Sequence, residues 1–243
     1  MSAPQSLELP VGDLWVQGWL TGPTSPRAGI LLVPPLFHEW QRGYRLFALL
    51  ADALAARGVA MLRFDYRGCG DSGGDDAQFL PSRAAEDASL ALHSLAARTT
   101  GPIAVLAVRA GALIADRMQR TAAVRLWRWQ PVHDGAAYLD ALARRHAQEC
   151  NNRVRFPFLL RAREPDPGVL MGYRVHAGLA GELGAMRLAA GAATLCIDAA
   201  AAAPDVILPP ELSRWVDEVD FSGVFPAPMV RTLAERLGAE LDR

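Results

Sequence analysis

The sequence predicts an α/β fold, in which a mostly parallel sheet carries helices on both faces. Two observations point to it. Short, wholly apolar runs rich in branched residues alternate with longer stretches of helical periodicity, the pattern of strands buried on both faces and the helices that cover them. A turn of small residues also separates the third such run from the helix after it, as a tight strand-to-helix connection requires.

The first half of the chain supplies most of this pattern. A hairpin is predicted around the turn dipeptide Gly12-Asp13, with strands Leu7–Val11 and Trp15–Leu20. The buried strands that follow are predicted at Ile30–Val33, Val59–Asp65 and Pro102–Val108, and the helices at Arg45–Ala56, Ser82–Arg98 and Ala110–Arg120. The order β, α, β, α, β, α implies parallel strands joined by crossover helices.

The second half continues the pattern with interruptions. Strands are predicted at Ala123–Trp129, Thr194–Asp198 and Trp215–Phe221, and helices at Asp134–Glu149, Gly178–Ala190 and Ala227–Leu241. The stretch from Cys150 to Gly172 is irregular, and we expect a small lid insertion over about residues 133–176. The run Ala199–Ala203 is of low complexity and gives no clear prediction. We therefore expect residues 1–243 to form one domain.

Composition excludes several classes of protein. The net charge is -1, and all 25 basic residues are arginine, so nothing indicates nucleic acid or an anionic membrane as a general partner. Three distant cysteines without paired spacing predict neither a disulfide framework nor a metal site. The apolar runs are too short to span a bilayer, and the first residues lack the features of a signal peptide. We expect a cytoplasmic protein without a membrane span.

Cofactor motifs are missing as well. The glycine-rich stretch Gly68–Gly74 lacks the helix-opening G-x-G-x-x-G spacing and any P-loop lysine. We therefore expect no dinucleotide, nucleotide or other cofactor.

The most informative motif follows the third buried strand, in the segment 107–112. Ala107, Ala110 and Gly111 are the small residues that let a backbone double back sharply between strand and helix. In a nucleophile elbow of the form G-x-S-x-G the apex is a serine, and here it is Arg109. Because a guanidinium stays protonated at every relevant pH, it cannot attack an acyl carbon.

Two further loops end buried strands at the same expected edge of the sheet. After the first strand come Pro34 and Pro35, which have no N–H, so Leu36 or Phe37 would have to supply an oxyanion-hole donor. After the second strand comes a D-x-x-G-x-G-x-S segment that begins at Asp65 and ends at Ser72. We expect this segment to be architectural, with glycines at positive φ and Ser72 hydrogen-bonded to the loop.

These motifs give the chain a resemblance. It resembles the α/β-hydrolase superfamily, and more narrowly the second of two hydrolase-like families associated with the exosortase A protein-sorting system. The narrower resemblance rests on LLVPPLFHEWQRGYR (31–45), the Gly-Cys-Gly-Asp-Ser segment (68–72), AVRAGALIA (107–115), LWRWQPVHDGAAYLDALARR (126–145) and MGYRV (171–175). It implies an α/β-hydrolase fold in a Gram-negative bacterium that makes exopolysaccharide, and a protein partner from the exosortase system. It implies no particular substrate.

A hydrolase triad also needs an acid after a late strand and a histidine after the last one, in the order nucleophile, acid, base. Asp198 stands where the acid could be. The five histidines are His38, His93, His133, His146 and His176, so none follows the last predicted strand. Two of the three members of the triad are therefore missing.

Other residues at the same edge leave alternatives open. Asp134 is placed to cap a helix with His133 as an exposed neighbour, or the two could act as a displaced base and its orienting acid. Cys69 could be a substitute nucleophile if an electropositive environment lowers its pKa, although the loop that carries it usually turns away from the pocket.

Arg109 itself needs a negative partner, because an arginine at a helix N-terminus opposes the helix dipole. Either Glu39 forms an internal ion pair with it, or a bound anion does, such as an acidic small molecule or a peptide carboxylate. The residues expected to line such a ligand site are Arg109, Ala110, Leu36, Phe37, His38, Glu39 and Arg42.

Three functions remain compatible with the sequence. The missing nucleophile and base favour a non-catalytic, hydrolase-like protein that binds a ligand or partner in the former active-site cleft. The family resemblance favours an active hydrolase of ester, thioester or peptide bonds that uses non-standard residues. A structural role in an envelope-assembly complex is the third.

Overall fold

The computed structural model describes residues 3–154, 156–158, 161–191, 193–198, 204–213 and 227–243. The predicted strand at residues 215–221 and the run at 199–203 lie outside these residues. A sheet of seven strands forms the centre of the described chain. Its strands are β1 (Gln5–Val11), β2 (Leu14–Thr21), β3 (Ala28–Val33), β4 (Val59–Phe64), β5 (Ile103–Val108), β6 (Arg125–Trp129) and β9 (Leu195–Ile197). They lie side by side in the order β1-β2-β4-β3-β5-β6-β9.

The sheet is mixed only at one side. β1 pairs with β2, and β2 with β4, in antiparallel register, while β3, β4, β5, β6 and β9 run parallel. This order, with its antiparallel second strand, is the α/β-hydrolase fold that the sequence predicts. The residues of β3 and β4 are all buried, as expected of strands covered on both faces.

Helices cover the two faces of the sheet. The helices are α1 (His38–Ala55), α2 (Pro81–Ala96), α3 (Gly111–Ala115), α4 (Gly135–Cys150), α5 (Ala177–Ala185), α6 (Pro210–Ser213) and α7 (Ala227–Leu241). α1 and α7 pack against each other over one half of the apolar core, and α2, α3, α4 and α5 contribute to the other half. Because successive strand residues point to opposite faces, Leu62 belongs to the second half and Met61 to the first.

Several boundaries differ from those predicted. α1 begins at His38 rather than Arg45, because the chain enters the helix directly after Phe37. α3 ends at Ala115, five residues before the predicted end. Between β4 and α2 lies a 3₁₀ turn, Asp76–Gln78, that the sequence pattern does not indicate.

The segment expected to form a lid has two parts. Tyr138 and Leu142 of α4 belong to the apolar core, so this helix is part of the layer that covers the sheet. The chain then runs irregularly to a small hairpin, β7 (Val169–Leu170) and β8 (Tyr173–Arg174). Within the described residues, no helix combines the length and the apolar character needed to cross a membrane.

Candidate functional site

The register of the sheet brings five loops to one edge. Val33 pairs with Ala107, Val108 with Trp129, and Trp129 with Ile197, so β3, β5, β6 and β9 end at the same level. The residues that follow these strands are Pro34, Arg109, Gln130 and Asp198, and Asp65 follows β4 at the same edge. In open parallel sheets this edge is where ligand sites form.

Arg109 occupies the apex of a true elbow. Its φ is +53°, a left-handed conformation that costs a non-glycine residue free energy and that the surrounding structure must impose. Its N–H donates to the Trp129 carbonyl at 3.0 Å, and its own carbonyl accepts from the N–H of Val132 at 3.1 Å. A Cβ on Gly111 would lie 2.5 Å from the carbonyl oxygens of both Val33 and Pro34, so only glycine fits there. The predicted elbow is therefore present, with an arginine at its apex.

The Arg109 guanidinium is held inside the protein by a carboxylate. Its Nε and Nη2 donate to Oε1 of Glu39 at 3.3 and 3.2 Å, and its Nη1 donates to the Gln130 carbonyl at 3.2 Å. The Glu39 side chain is only 2% exposed, whereas that of Arg109 is 26% exposed. Of the two partners left open for Arg109, the internal ion pair is the one present.

Burial governs the electrostatics of this pair. Burial raises the pKa of Glu39 above its ordinary value, and the charge and hydrogen bonds of Arg109 oppose that rise. Tyr138 lies beside Glu39, and burial raises the pKa of its phenol well above the usual value. Both Oε2 of Glu39 and the Tyr138 hydroxyl are buried, and the phenol, like Arg109, opposes the rise in the pKa of Glu39.

A second polar cluster, which the sequence pattern does not predict, lies at the same edge. Nε2 of Gln130 donates to Oδ2 of Asp198 at 2.6 Å and to the Ser213 carbonyl at 2.6 Å, and the Ser213 hydroxyl donates to Asp198 as well. Gln130 and Asp198 both have positive φ, +44° and +48°. Asp198, the candidate triad acid, therefore orients an amide and a hydroxyl. The position of Gln130, directly after a strand, is the signal that could have indicated it.

The alternative catalytic residues are not arranged for catalysis. The Asp134 side chain caps α4 by accepting from the N–H of Ala137 at 3.0 Å, and its other oxygen pairs with Nε of Arg187 at 3.1 Å. His133 is exposed. The interpretation of Asp134 as a helix cap is confirmed, and both of its oxygens are engaged away from His133.

Cys69 does not have the environment that a nucleophile needs. Burial, followed by the charges of Asp65 and Asp87, raises the pKa of its thiol to about 12. The expectation of an electropositive environment is wrong, because the neighbouring charges are carboxylates. The loop that carries Cys69 is architectural, as predicted: the Ser72 hydroxyl donates to the Asp65 carbonyl at 2.6 Å and accepts from the N–H of Gln17 at 2.8 Å.

A cavity of about 480 Å³ lies next to the elbow. Most of its walls are apolar or aromatic, and its lining includes Leu36 and Phe37 from the loop after β3, but not Arg109, Ala110, His38, Glu39 or Arg42. The aromatic rings in its walls are those of Phe37, Trp19, Trp40, Tyr44, Tyr66, Phe79 and Tyr173.

The Phe37 ring contacts both a residue of the cavity wall and a residue beside the ion pair. Its ring lies 5.7 Å from that of Tyr173, in the cavity wall, and 6.3 Å from that of Tyr138, beside Glu39. The backbone of Phe37 has φ of +57°, another strained conformation at this edge. Of the ligand residues expected from the sequence, Leu36 and Phe37 line the cavity and Arg109 and Glu39 form the ion pair. Ala110, His38 and Arg42 do not line the cavity.

The charged groups of the cavity are mainly acidic. They are Asp65, Asp71, Asp76 and Arg174, and Arg174 pairs with Asp76 at 3.3 Å. Asp65 accepts from Nε1 of Trp40 at 2.6 Å and from the N–H of Asp71 at 2.9 Å, and burial raises its pKa. Among the described residues, no group of three His, Cys, Asp or Glu side chains is arranged to hold a metal ion.

The cavity and ion pair together do not support an acidic ligand at Arg109. Glu39 already neutralises the guanidinium, and the neighbouring cavity carries three carboxyl groups against one guanidinium, itself paired. The expected carboxylate-binding site therefore lacks the free positive charge on which it depended.

No protein-family model and no curated protein sequence matches the chain. Solved structures do resemble it. An α/β serine hydrolase without lid from Xanthomonas campestris is 18% identical over 54% of this chain and 62% of its own, with a TM-score of 0.43. A proline iminopeptidase-related protein from Thermus thermophilus is 21% identical over 68% and 58%, with a TM-score of 0.46.

A third similar structure is the mouse α/β hydrolase domain-containing protein 10, 17% identical over 74% of this chain and 69% of its own, with a TM-score of 0.45. The chain spans about three fifths of the length of the first two. At these identities and TM-scores the likeness carries no information about activity.

Proposed function

We propose that this chain is a non-catalytic protein with an α/β-hydrolase fold that binds a ligand in the cavity beside the former active site. The single observation that carries the proposal is Arg109 at the elbow apex, paired with the buried Glu39. A protonated guanidinium is no nucleophile, and its hydrogen bonds to Glu39 hold it at the apex.

The chemistry of the cavity indicates the class of ligand. Aromatic walls favour an apolar or aromatic body, and the three carboxyl groups disfavour a negative charge on it. The ligand that fits best is an amphiphile or aromatic compound that is neutral or positively charged.

Labelling tests the absence of catalysis. The purified protein is expected to take up no fluorophosphonate probe at any serine, and to hydrolyse p-nitrophenyl acetate no faster than a heat-denatured control. A labelled serine, or ester turnover that survives repeated purification, would show that a nucleophile operates elsewhere in the chain.

Ligand class is tested by displacement of the neutral dye N-phenyl-1-naphthylamine from the cavity. Decyltrimethylammonium is expected to displace the dye at lower concentration than decanoate, which has the opposite charge on a similar chain. Tyr173→Ser, in the cavity wall, should weaken dye binding, and Ile207→Ser, at an exposed position, should not. Tighter binding of decanoate would refute this choice of ligand.

We also propose that the chain acts alongside the exosortase A protein-sorting system in the cytoplasm of an exopolysaccharide-producing bacterium. The support is the sequence resemblance over residues 31–45, 107–115 and 126–145. A pull-down of co-expressed exosortase by the tagged chain tests it, with the tag alone as the control. Absence of the exosortase from the pull-down, with both proteins expressed, counts against a direct partnership.

A further inference from the structure

A loop follows α4, of which residues 152–154, 156–158 and 161–162 are described, and hydrogen bonds between Asn151 and Arg163 join its two ends. The Asn151 side chain accepts from the N–H of Arg163 at 2.9 Å and donates to the carbonyl of Arg163 at 3.1 Å. The same amide also donates to the carbonyl of Ala147, in the last turn of α4. The loop is therefore anchored to α4 through Asn151.

Two large apolar side chains of this loop face solvent. Val154 is 95% exposed and Phe158 is 92% exposed, the highest values among the exposed large apolar residues of the described chain. Phe156, by contrast, is partly covered, because the Arg163 guanidinium lies 5.1 Å from the centre of its ring. Exposing apolar area of this size costs free energy unless something covers it.

The same loop is strongly basic. Residues 151–163 contain four arginines and no acidic residue, in a chain whose net charge is -1. Arg153, Arg161 and Arg163 are exposed, and none of them forms an ion pair with a described carboxylate. Exposed apolar residues flanked by arginines are the pattern of segments that lie at the surface of anionic membranes.

We infer that the described residues of this loop, 152–154, 156–158 and 161–162, together with Arg163, dock on an anionic lipid bilayer. Val154 and Phe158 enter the boundary between headgroups and acyl chains, and Arg153, Arg161 and Arg163 bind lipid phosphates. The inference does not depend on the proposed function, since none of these residues lines the cavity or contacts Arg109.

Other occupants fit the loop less well. A symmetric contact with a second copy would bring at least six exposed arginines together, which is repulsive. A single-stranded nucleic acid would satisfy the arginines and could stack a base on Phe158, but it would leave Val154, which has no aromatic face, exposed, whereas a bilayer covers both side chains.

Vesicle co-sedimentation of the full chain tests the inference. Binding is expected to vesicles of equal parts phosphatidylcholine and phosphatidylglycerol, to be weak with phosphatidylcholine alone, and to fall as salt is raised. Arg153→Glu and Arg161→Glu should each lower the partition coefficient about fivefold or more. The double variant Val154→Ser/Phe158→Ser should lower it at constant charge.

Two control substitutions test whether vesicle binding is specific to the loop. Arg117→Glu removes an exposed arginine elsewhere, and Ile207→Ser removes an apolar side chain that is 77% exposed. Neither should change vesicle binding, and thermal melting should show that all variants fold. Equal binding to both kinds of vesicle, no binding to either, a Phe158-dependent dimer in sedimentation, or tighter binding of a single-stranded RNA oligonucleotide would overturn the inference.

Discussion

Oε1 of Glu39 accepts hydrogen bonds from both Nε and Nη2 of Arg109, at 3.3 and 3.2 Å. Glu39 is buried in the first turn of α1, and Arg109 lies 70 residues later at the apex of the elbow. The pair thus links the helix that follows β3 to the turn that follows β5, at the position where a hydrolase of this fold would carry out its chemistry.

The two members of this ion pair should differ in their effects on stability. Arg109→Met leaves a carboxylate that is 2% exposed without its partner, so a loss of about 3–5 kcal/mol is expected. Glu39→Gln leaves a guanidinium that water can reach, and a loss of about 1–2 kcal/mol is expected. Urea unfolding measures both. The double variant Arg109→Met/Glu39→Gln should lose less than the sum of the two single losses, and losses that simply add would contradict a direct coupling.

Stability should also depend on pH through Glu39. Burial raises the pKa of its carboxyl above the ordinary 4.5, so its contribution to stability is fully present below that value and is lost as pH rises through the higher, folded-state pKa. The free energy of unfolding of the native chain, relative to Glu39→Gln, should therefore fall as the pH is raised above 4.5. The fall should be larger in an Arg109→Met background, because Arg109 lowers the pKa. A rise with pH would show that pairing outweighs burial.

Restoring a serine at the elbow should not restore hydrolysis. Arg109→Ser provides a hydroxyl, but no histidine follows residue 176, and a serine without a base is a poor nucleophile. Rapid mixing with p-nitrophenyl acetate is expected to show no burst of p-nitrophenol, in the variant as in the native chain. A burst proportional to the concentration of Arg109→Ser would reveal a base among the neighbouring residues.

The thiol of Cys69 should be unreactive in the folded protein. With a pKa of about 12, it is almost wholly protonated at pH 8, and only the thiolate reacts quickly with iodoacetamide. Peptide mapping is expected to find little label on Cys69 in buffer and full label in guanidinium chloride. Rapid labelling of Cys69 in the native state would contradict the raised pKa of this thiol.

The elbow should tolerate no side chain at Gly111. A Cβ there would meet two backbone carbonyl oxygens at 2.5 Å, and backbone cannot move aside cheaply, so Gly111→Ala should cost at least about 3 kcal/mol. Gly181, exposed in α5 with open space around it, is the matched control. Gly181→Ala should stabilise the protein by about 0.5–1 kcal/mol. Equal effects of the two substitutions in thermal unfolding would argue against the close approach at the elbow.

Local patterns in the sequence were sufficient to predict the elbow and, within the described residues, the order of the strands and helices of the main sheet. The absence of a standard triad stays a prediction. Apolar runs indicate burial on both faces of a strand, and small residues indicate a tight turn. The sequence also shows directly that no histidine lies between residue 176 and residue 243. The helix α7 begins and ends where its periodicity predicts, at Ala227 and Leu241. The predicted strand at residues 215–221 stays a prediction.

Tertiary structure alone decided which polar groups meet. Glu39 and Arg109 were predicted as one of two options, and the choice depended on how α1 enters the edge of the sheet, seven residues earlier than its periodicity indicates. The link between Gln130 and Asp198, and the separation of the cavity from Arg109 by Phe37, have no local signature. Contacts between residues distant in sequence depend on sheet register and backbone path, which periodicity does not encode. Local patterns in the sequence therefore determined the order of the elements and the elbow, and the tertiary structure determined which charged groups pair.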